Sequence, residues 1–350
     1  MAAETFTKRF LSGLSAILCA VVMATSAWAA EKDEGVVTIY PDSEQGAAFF
    51  GNQHGTLSYQ FESTKRFEGK LLWQYAAGAR TIERGEEDLL LMPGRKGLYE
   101  LPIAMPPVRE GVSFETRLVV TVIDGDNQEV ASHVQPIWLF SEDPFVDRRE
   151  WLAGLDLHLY DPEDATVARF DEAKIPYTRI NNSNVLPDFE GGILIVGSGT
   201  SLRKNRGLTD NLMKLAQRGV RVLCIAPVDG EFPWPTRDEF PELAGVQFTS
   251  KQVIYDLDKR LFPGFDALPG LPGKRNTVTL ESRRGQLRVN LSETPDGWPW
   301  WQVRFDNGGT CILCCFDVIQ HWTTGPTPRY SLARLLEELS SETGFSPTEQ

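Results

Sequence analysis

The segment Gly197-Ser198-Gly199 is the first place in the sequence where residue types suggest chemistry, because a serine flanked by glycines follows the apolar run Gly192–Val196. Two known motifs do not fit it. A serine-hydrolase elbow, G-x-S-x-G, needs glycine at position 196, which is valine. A phosphate-binding loop needs G-x-x-x-x-G-K-[ST], which is absent. Two interpretations remain: a tight strand-to-helix turn that requires glycine for its backbone, and a ligand-binding loop.

The cysteines and histidines do not have the spacing of a metal site, and we predict no metal and no cofactor. Cys311 and Cys314 resemble a C-x-x-C pair, but an odd offset on a strand places their side chains on opposite faces. No second pair or nearby histidine completes a zinc set. Cys224 and the group Cys311, Cys314 and Cys315 lie within apolar runs that are typical of buried strands, so we expect free buried thiols. A disulfide from Cys224 to one of the other three is the alternative.

Three tryptophans stand close together in Trp298-Pro299-Trp300-Trp301. Exposed indole rings stack on the faces of sugars, which makes this segment a candidate ligand-binding site together with Gly197, Ser198 and Gly199. The alternative is that the indoles fill the core. Alternation along a strand predicts that Trp300 and Trp301 point to opposite faces, one inward and one outward.

The elements that would position these residues divide the chain into two domains. Residues 30–143 contain about seven short alternating runs between turn signals, which indicate an all-β, immunoglobulin-like sandwich. One clear turn, Asp124-Gly125-Asp126-Asn127, predicts a hairpin. The sequence Ser141-Glu142-Asp143-Pro144 marks the boundary.

Residues 150–341 change pattern and predict an α/β domain. Strands over Leu155–Tyr160, Tyr177–Ile180, Gly192–Val196 and Val220–Ile225 alternate with helical segments, an order that predicts a parallel sheet with helices on both faces. The segment from Pro227 to Pro272 is rich in proline and is predicted to be irregular. Four further strands and a closing helix, Pro328–Ser340, complete the domain.

The first 29 residues are typical of a secretory signal peptide. A basic start (Lys8, Arg9) precedes an apolar run and the small-residue motif Ala27-Trp28-Ala29, which predicts cleavage after Ala29 and export to the periplasm or beyond. The net charge of −13 should repel nucleic acids and anionic membranes, so neither is an expected partner.

The second domain also resembles a known family. The segments "LDLHLYDPEDATVARFDEAKIPYTRI", "GGILIVGSG", "LAQRGVRVLCIAP" and "GGTCILCCFDVIQHW" resemble the class I glutamine amidotransferase-like, flavodoxin-like fold. They are most similar to the non-catalytic versions in bacterial β-galactosidases and related secreted glycoside hydrolases, which an Ig-like sandwich often precedes. The resemblance implies that Gly197-Ser198-Gly199 is the glycine loop that supplies an oxyanion-stabilising amide in active members. It also implies that the chemistry is lost. No cysteine or serine follows Val220–Ala226, where active members place their nucleophile, and no acidic residue follows His321 two positions on.

These observations favour an exported, non-catalytic accessory protein linked to polysaccharide degradation, with a glycan or a protein as its partner. The link to carbohydrate comes from the family resemblance alone. A hydrolase acting on carbohydrate or a small amide, with a cleft near Gly197 and His321, is one alternative. A structural module that promotes homo-oligomers is the other.

Overall fold

The computed structural model describes residues 36–41, 46–235, 241–250, 252–261, 276–294 and 296–341. The predicted signal peptide therefore lies outside the described residues. Among those that are described, no helix is long and apolar enough to cross a membrane.

The N-terminal half is a sandwich of two β-sheets, which confirms the predicted all-β, Ig-like architecture of this half. Its strands are β1 Val37–Pro41, β2 Ala47–Phe50, β3 His54–Ser63, β4 Phe67–Ala77, β5 Arg80–Leu91, β6 Gly97–Ala104, β7 Ser113–Asp124 and β8 Glu129–Phe140. One sheet has the order β1-β3-β6 and the other the order β2-β8-β7-β4-β5. The inward side chains of both sheets form one core that includes Tyr59, Phe61, Leu71 and Leu118.

The sequence pattern located seven of these eight strands. The missed strand, β2, is only four residues long and pairs in parallel with β8, so it depends on a partner about 90 positions away rather than on its own pattern. The predicted β7–β8 hairpin is confirmed: the Asp124 carboxylate accepts hydrogen bonds from the backbone N–H groups of Asp126 and Gln128, both at 2.9 Å, and Asn127 takes the left-handed conformation that such a turn requires.

The C-terminal half contains a seven-stranded mixed sheet and a smaller three-stranded sheet. The strands are β9 Leu157–Tyr160, β10 Thr178–Ile180, β11 Ile193–Val196, β12 Arg221–Ile225, β13 Gly230–Pro233, β14 Leu243–Thr249, β15 Asn276–Arg283, β16 Gln286–Glu293, β17 Trp300–Phe305 and β18 Thr310–Cys314. The large sheet has the order β10-β9-β11-β12-β18-β17-β14, and the small sheet the order β13-β16-β15. The first five strands of the large sheet are parallel, whereas β17 and β14 are antiparallel to their neighbours.

The described residues of the C-terminal half contain few helices. They are α1 Arg149–Ala153, α2 Ala165–Glu172, α3 Leu208–Gln217, α4 Gln252–Leu257 and α5 Pro326–Ser340, with short 3₁₀ helices at Val146–Arg148 and Ser183–Asp188. The proline-rich segment that we predicted to be irregular contains β13, β14 and α4 in its described part.

The prediction of an α/β, flavodoxin-like domain is wrong. Strands make up 47% of the chain and helices 19%, so the protein is predominantly β. A doubly wound α/β fold needs a helical crossover between successive parallel strands. Here only α2 and α3 provide one: β10 leads to β11 through a six-residue 3₁₀ helix, and β12 leads to β18 through a long segment whose described part is mostly strand.

Each face of the large sheet is covered, and one of the two cores continues into the sandwich. Ile193 and Ile195 lie in one core, and Leu194 and Val196 in the other. The first core also contains Phe140 from β8 of the sandwich. The two halves therefore share buried apolar side chains.

Candidate functional site

The Gly197-Ser198-Gly199 loop lies at the carboxyl end of β11, in the middle of the parallel strands. The N–H of Gly197 donates to the carbonyl of Tyr160 (2.9 Å), and the N–H of Gly199 donates to the carbonyl of Ala226 (3.1 Å). A Cβ added to Gly197 would lie 2.3 Å from a carboxylate oxygen of Asp161, so a side chain is excluded there. Gly199 has a φ of +81°, which favours glycine. Both glycines thus have structural reasons to be glycine.

Ser198 is buried and ties the loop to its neighbours. Its backbone N–H donates to the Thr166 hydroxyl (2.8 Å), and its own hydroxyl donates to the Asp317 carboxylate (3.1 Å). Asp317 follows β18 and also accepts the N–H of Gln320 at 2.9 Å. The Ser198–Asp317 bond therefore joins two loops that are 119 residues apart in the chain. It links a hydroxyl to a carboxylate without an intervening imidazole, which the catalytic serine triad requires as its base.

The alternative hydrolase hypothesis places a cleft near Gly197 and His321. His321 lies in the turn that Asp317 begins, and its backbone N–H donates to the Asp317 carbonyl at 3.3 Å. Among the hydrogen bonds of the described residues, none joins the His321 ring to Ser198 or Cys224.

Asp161 is a buried acidic residue at this edge of the sheet, and the sequence analysis did not identify it as a site residue. One carboxylate oxygen accepts the N–H groups of Thr166 (2.7 Å) and Val167 (2.8 Å), at the start of α2. These bonds hold the Asp161 carboxylate against the first turn of α2, which begins at Ala165. The other oxygen, Oδ1, is buried with no hydrogen-bond partner in the described part of the chain. Burial raises the pKa of Asp161, and the two backbone hydrogen bonds oppose that rise only in part.

The position that follows β12 holds Ala226, not a nucleophile. Ala226 has a φ of +40°, an unusual conformation for a residue with a side chain, and its N–H donates to the Cys314 carbonyl at 2.6 Å. Cys224 lies two residues earlier, inside the strand and with no exposure. A hydrogen bond that the Cys224 thiol donates to Cys311, together with burial, raises the pKa of Cys224 well above the ordinary thiol value. Its reactive thiolate form is therefore strongly disfavoured.

All four described cysteines are free and buried, which confirms the predicted buried thiols. Cys224, Cys311 and Cys315 lie in one core and Cys314 in the other. Burial raises the pKa of Cys314 to about 12 and raises that of Cys315 further. Within the described ranges, His, Cys, Asp and Glu form no group of three that could hold a metal ion.

The tryptophans of the 298–301 segment lie in three different environments. Trp300 packs into one core with 2% exposure and Trp301 into the other with none, so alternation is confirmed but neither indole points outward. The indole N–H groups of both are buried without a hydrogen-bond partner among the described residues. Trp298 remains 39% exposed. Two backbone hydrogen bonds with Val278, at 2.8 and 2.9 Å, hold it against β15.

Trp298 belongs to a larger aromatic surface that the sequence interpretation did not assemble. Its ring lies 4.9 Å from Phe248 on β14, and the Phe248 ring is parallel to Trp234 at 6.2 Å. Phe248 and Trp234 are partly buried. Buried Trp301 packs beneath Phe248, with ring centroids 6.5 Å apart. We call Trp234, Phe248 and Trp298 the aromatic cluster. These three residues are separated by up to 64 positions, so no local sequence pattern links them. Their aromatic side chains were the available signal in the sequence.

Comparisons with known proteins do not place this chain in a family. No protein-family model matches it, and no curated protein matches it. Two solved structures overlap with 30% of the chain. One is of the fibronectin(III)-like modules of Clostridium thermocellum CbhA, at 10% identity over 98% of that chain with a TM-score of 0.20. The other is a Niemann-Pick type C2 protein from the Japanese carpenter ant, at 6% identity over 89% of that chain with a TM-score of 0.21.

Overlaps at these TM-scores carry no argument about family or function. The predicted membership in the class I glutamine amidotransferase-like family is wrong, in agreement with the scarcity of helices in the second half. The glycine loop therefore has no family role to inherit.

Proposed function

We propose that this protein is an exported, non-catalytic accessory protein that binds a glycan at the aromatic cluster. The observation that carries the proposal is the partly exposed face formed by Trp298, Phe248 and Trp234. Most large apolar side chains of a folded chain are buried, so a contiguous aromatic patch at the surface is a candidate binding surface. Aromatic rings are suited to sugars because they combine a flat apolar face with, in tryptophan, a polar N–H.

The geometry of the cluster supports a preorganised surface. The backbone N–H and carbonyl of Trp298 both form hydrogen bonds with Val278. Phe248 lies on β14, and the register of β14 with β17 places it directly opposite Trp301. Little conformational entropy would therefore be lost in ordering these rings when a ligand stacks on them.

The non-catalytic part of the proposal is supported by the chemistry of the sheet edge. Ala226 has no nucleophilic atom, the Cys224 thiol is buried with a raised pKa, and the Ser198 hydroxyl is engaged by Asp317. A hydrolase that uses a cleft near Gly197 and a homo-oligomer without glycan binding are the outcomes that would replace this proposal.

Replacing Trp298 with alanine tests glycan binding. Stacking of a ring on an exposed indole contributes about 1–3 kcal/mol, by analogy with the stacking of bases on aromatic side chains. We therefore expect Trp298→Ala to weaken retention on insoluble polysaccharides by about one to two decades, with little change in melting temperature. Retention is measured on a panel that includes cellulose, xylan and chitin.

Two further variants serve as controls. Trp73→Ala removes a partly buried tryptophan from the sandwich and should leave retention unchanged. Trp300→Ala removes a core side chain and should cost about 3–5 kcal/mol of stability. Equal retention by wild type and Trp298→Ala on every polysaccharide that the wild type binds would refute the aromatic cluster as the site.

Export is tested by the mass of the mature protein. We expect a chain that begins at Ala30 in the periplasm or the medium, because a signal peptidase cuts after small-residue motifs such as Ala27-Trp28-Ala29. Full-length protein starting at Met1 in the cytoplasmic fraction would contradict export.

A further inference from the structure

A cluster of three exposed cations lies on the loop between β11 and α3. Arg203, Lys204 and Arg206 are all exposed, and none of them forms an ion pair with a described residue. We call these three residues the basic loop. They are unusual in a protein with 48 acidic and 35 basic residues. Other arginines of this half, such as Arg169 and Arg179, are paired with nearby carboxylates.

Hydrogen bonds to Asp229 and Ser201 hold the backbone of the basic loop in place. The Asp229 carboxylate accepts the Ser201 hydroxyl (2.8 Å) and the N–H of Arg203 (2.9 Å). The N–H of Lys204 donates to the Ser201 hydroxyl oxygen at 3.2 Å. The Asp229 carboxylate is thus used by the loop backbone and by Ser201, and no ion pair within the described ranges occupies the three cations.

A second set of bonds fixes the middle of the loop. The Asn205 side-chain amide donates to the Ser201 carbonyl at 2.9 Å, and its oxygen accepts the Tyr160 hydroxyl at 2.9 Å. The loop leads into α3, whose N-terminus adds a positive partial charge. Asp210 in the first turn of that helix is the nearest acidic residue in the sequence that follows.

The basic loop and the aromatic cluster lie at the two ends of β13. The N–H of Leu202 donates to the Asp229 carbonyl at 3.2 Å, and Gly230, the first residue of β13, packs against the Leu202 side chain. Trp234 directly follows the last residue of the strand. Four residues of strand span roughly 13 Å, a distance that a short oligosaccharide can cover. The one carboxylate on β13, Glu231, is paired with Arg283 and Arg288.

We propose that the glycan is an acidic polysaccharide whose carboxylate or sulfate groups bind the basic loop while its ring faces stack on the aromatic cluster. This inference rests on the proposed function and names its ligand class. Arginine forms paired hydrogen bonds with planar or tetrahedral oxyanions, which makes the loop suited to such groups. Three cations on one loop match one or two anionic groups. A nucleic acid would need a longer basic stripe to neutralise its phosphates.

The test compares neutral and acidic polysaccharides with the full mature protein. The probes are xylan (neutral), polygalacturonate (carboxylated) and dextran sulfate (sulfated), and the variant is Arg203→Ala/Lys204→Ala/Arg206→Ala. We expect the variant to bind the preferred acidic probe at least about tenfold more weakly than wild type, the loss of three exposed charge contacts, with unchanged retention on xylan. Binding of wild type to the acidic probe should also fall as salt rises to about 0.5 M.

A matched control separates a local site from net charge. Arg80, Arg84 and Arg95 are exposed on the sandwich and form no ion pair with a described residue, so their triple alanine variant changes the net charge equally. It should bind like wild type. Equal losses in both triple variants, or no loss in the loop variant, would overturn the inference. If wild type retains xylan through Trp298 but neither acidic probe, this inference fails alone. If no polysaccharide is retained, the proposed function fails with it.

Discussion

The buried carboxylate of Asp161 has two opposing effects on the stability of the fold. Its Oδ2 atom caps α2, whereas Oδ1 is buried against Gly197 with no partner among the described residues. An unpaired buried oxygen costs more when the group is ionised, which is the physical reason that burial raises the pKa of Asp161. The ionised form therefore subtracts from stability in a way that the neutral form does not.

Two substitutions of Asp161 should separate these effects. Asp161→Ala removes the acceptor of two N–H groups and should destabilise the protein by about 0.5–2 kcal/mol. Asp161→Asn retains an acceptor and has no charge, so it should cost less. Because the folded pKa is raised, wild type loses stability as the pH rises through it, and Asp161→Asn does not. Relative to wild type, the free energy of unfolding of Asp161→Asn should thus be highest at neutral pH and lowest below about pH 4.

Urea denaturation of wild type and both variants between pH 4 and pH 7 measures this. The control is Asp126→Asn, which makes the same change at an exposed aspartate in the β7–β8 turn. A cost of Asp161→Asn that grows with rising pH would contradict the assignment.

The sequence pattern predicted the positions of the strands better than it predicted the elements that pack on their two faces. Period-2 alternation correctly placed Trp300 and Trp301 on opposite faces of β17. It could not indicate that both faces are covered, because β17 lies between β18 and β14 and each face packs on a separate core. The uninterrupted apolar start of β17 was the available signal, since strands that are buried on both faces lose their alternation.

The connections between elements were the less predictable part of the fold. The first four parallel strands were placed within about two residues, as expected for strongly periodic segments. The six-residue 3₁₀ helix at Ser183–Asp188 replaces a crossover helix, and the polar segment between β10 and β11 has no periodicity that would distinguish the two. The Phe248–Trp298 contact of the aromatic cluster and the Ser198–Asp317 bond depend on pairings across 50 or more positions, which local patterns do not encode.

The whole molecule is held together across the boundary that the sequence predicts near Ser141. Phe140 of the sandwich packs on Tyr330 of α5 with ring centroids 4.6 Å apart, and Tyr330 exchanges hydrogen bonds with Ser141. Arg260 reaches from the second half to the Ser113 hydroxyl of β7 at 2.6 Å. Shared apolar packing and these polar bonds predict that the two halves unfold together rather than as separate units.

Asp258 orders the arginines of this interface and should make its stability depend on pH. Its carboxylate accepts hydrogen bonds from Arg260 (2.6 and 2.8 Å) and Arg334 (3.3 Å). Burial alone would raise the pKa of Asp258, but the hydrogen bonds and charge of Arg260, with the charge of Arg334, outweigh it and lower the pKa. A lowered folded pKa means that this stabilisation is present above the unfolded value of about 3.9 and is lost as the pH falls through the folded value.

Asp258→Asn should therefore lower the free energy of unfolding at pH 7 by about 1.5–3 kcal/mol, the usual contribution of a hydrogen bond to a charged group. The difference from wild type should shrink as the pH falls below about 4, because the unfolded wild-type chain takes up a proton on this carboxyl at a higher pH than the folded chain does. Urea denaturation followed by circular dichroism and by tryptophan fluorescence gives the measurement, because strands and tryptophans occur in both halves.

Glu172→Gln is the control: it breaks the exposed Arg169–Glu172 pair and should change stability by less than about 0.5 kcal/mol. Coincident transitions by both probes would support a shared core. Two separate transitions in wild type would contradict the prediction that the halves unfold together. An effect of Asp258→Asn that persists unchanged to low pH would contradict the stabilising role of the ionised Asp258 carboxylate.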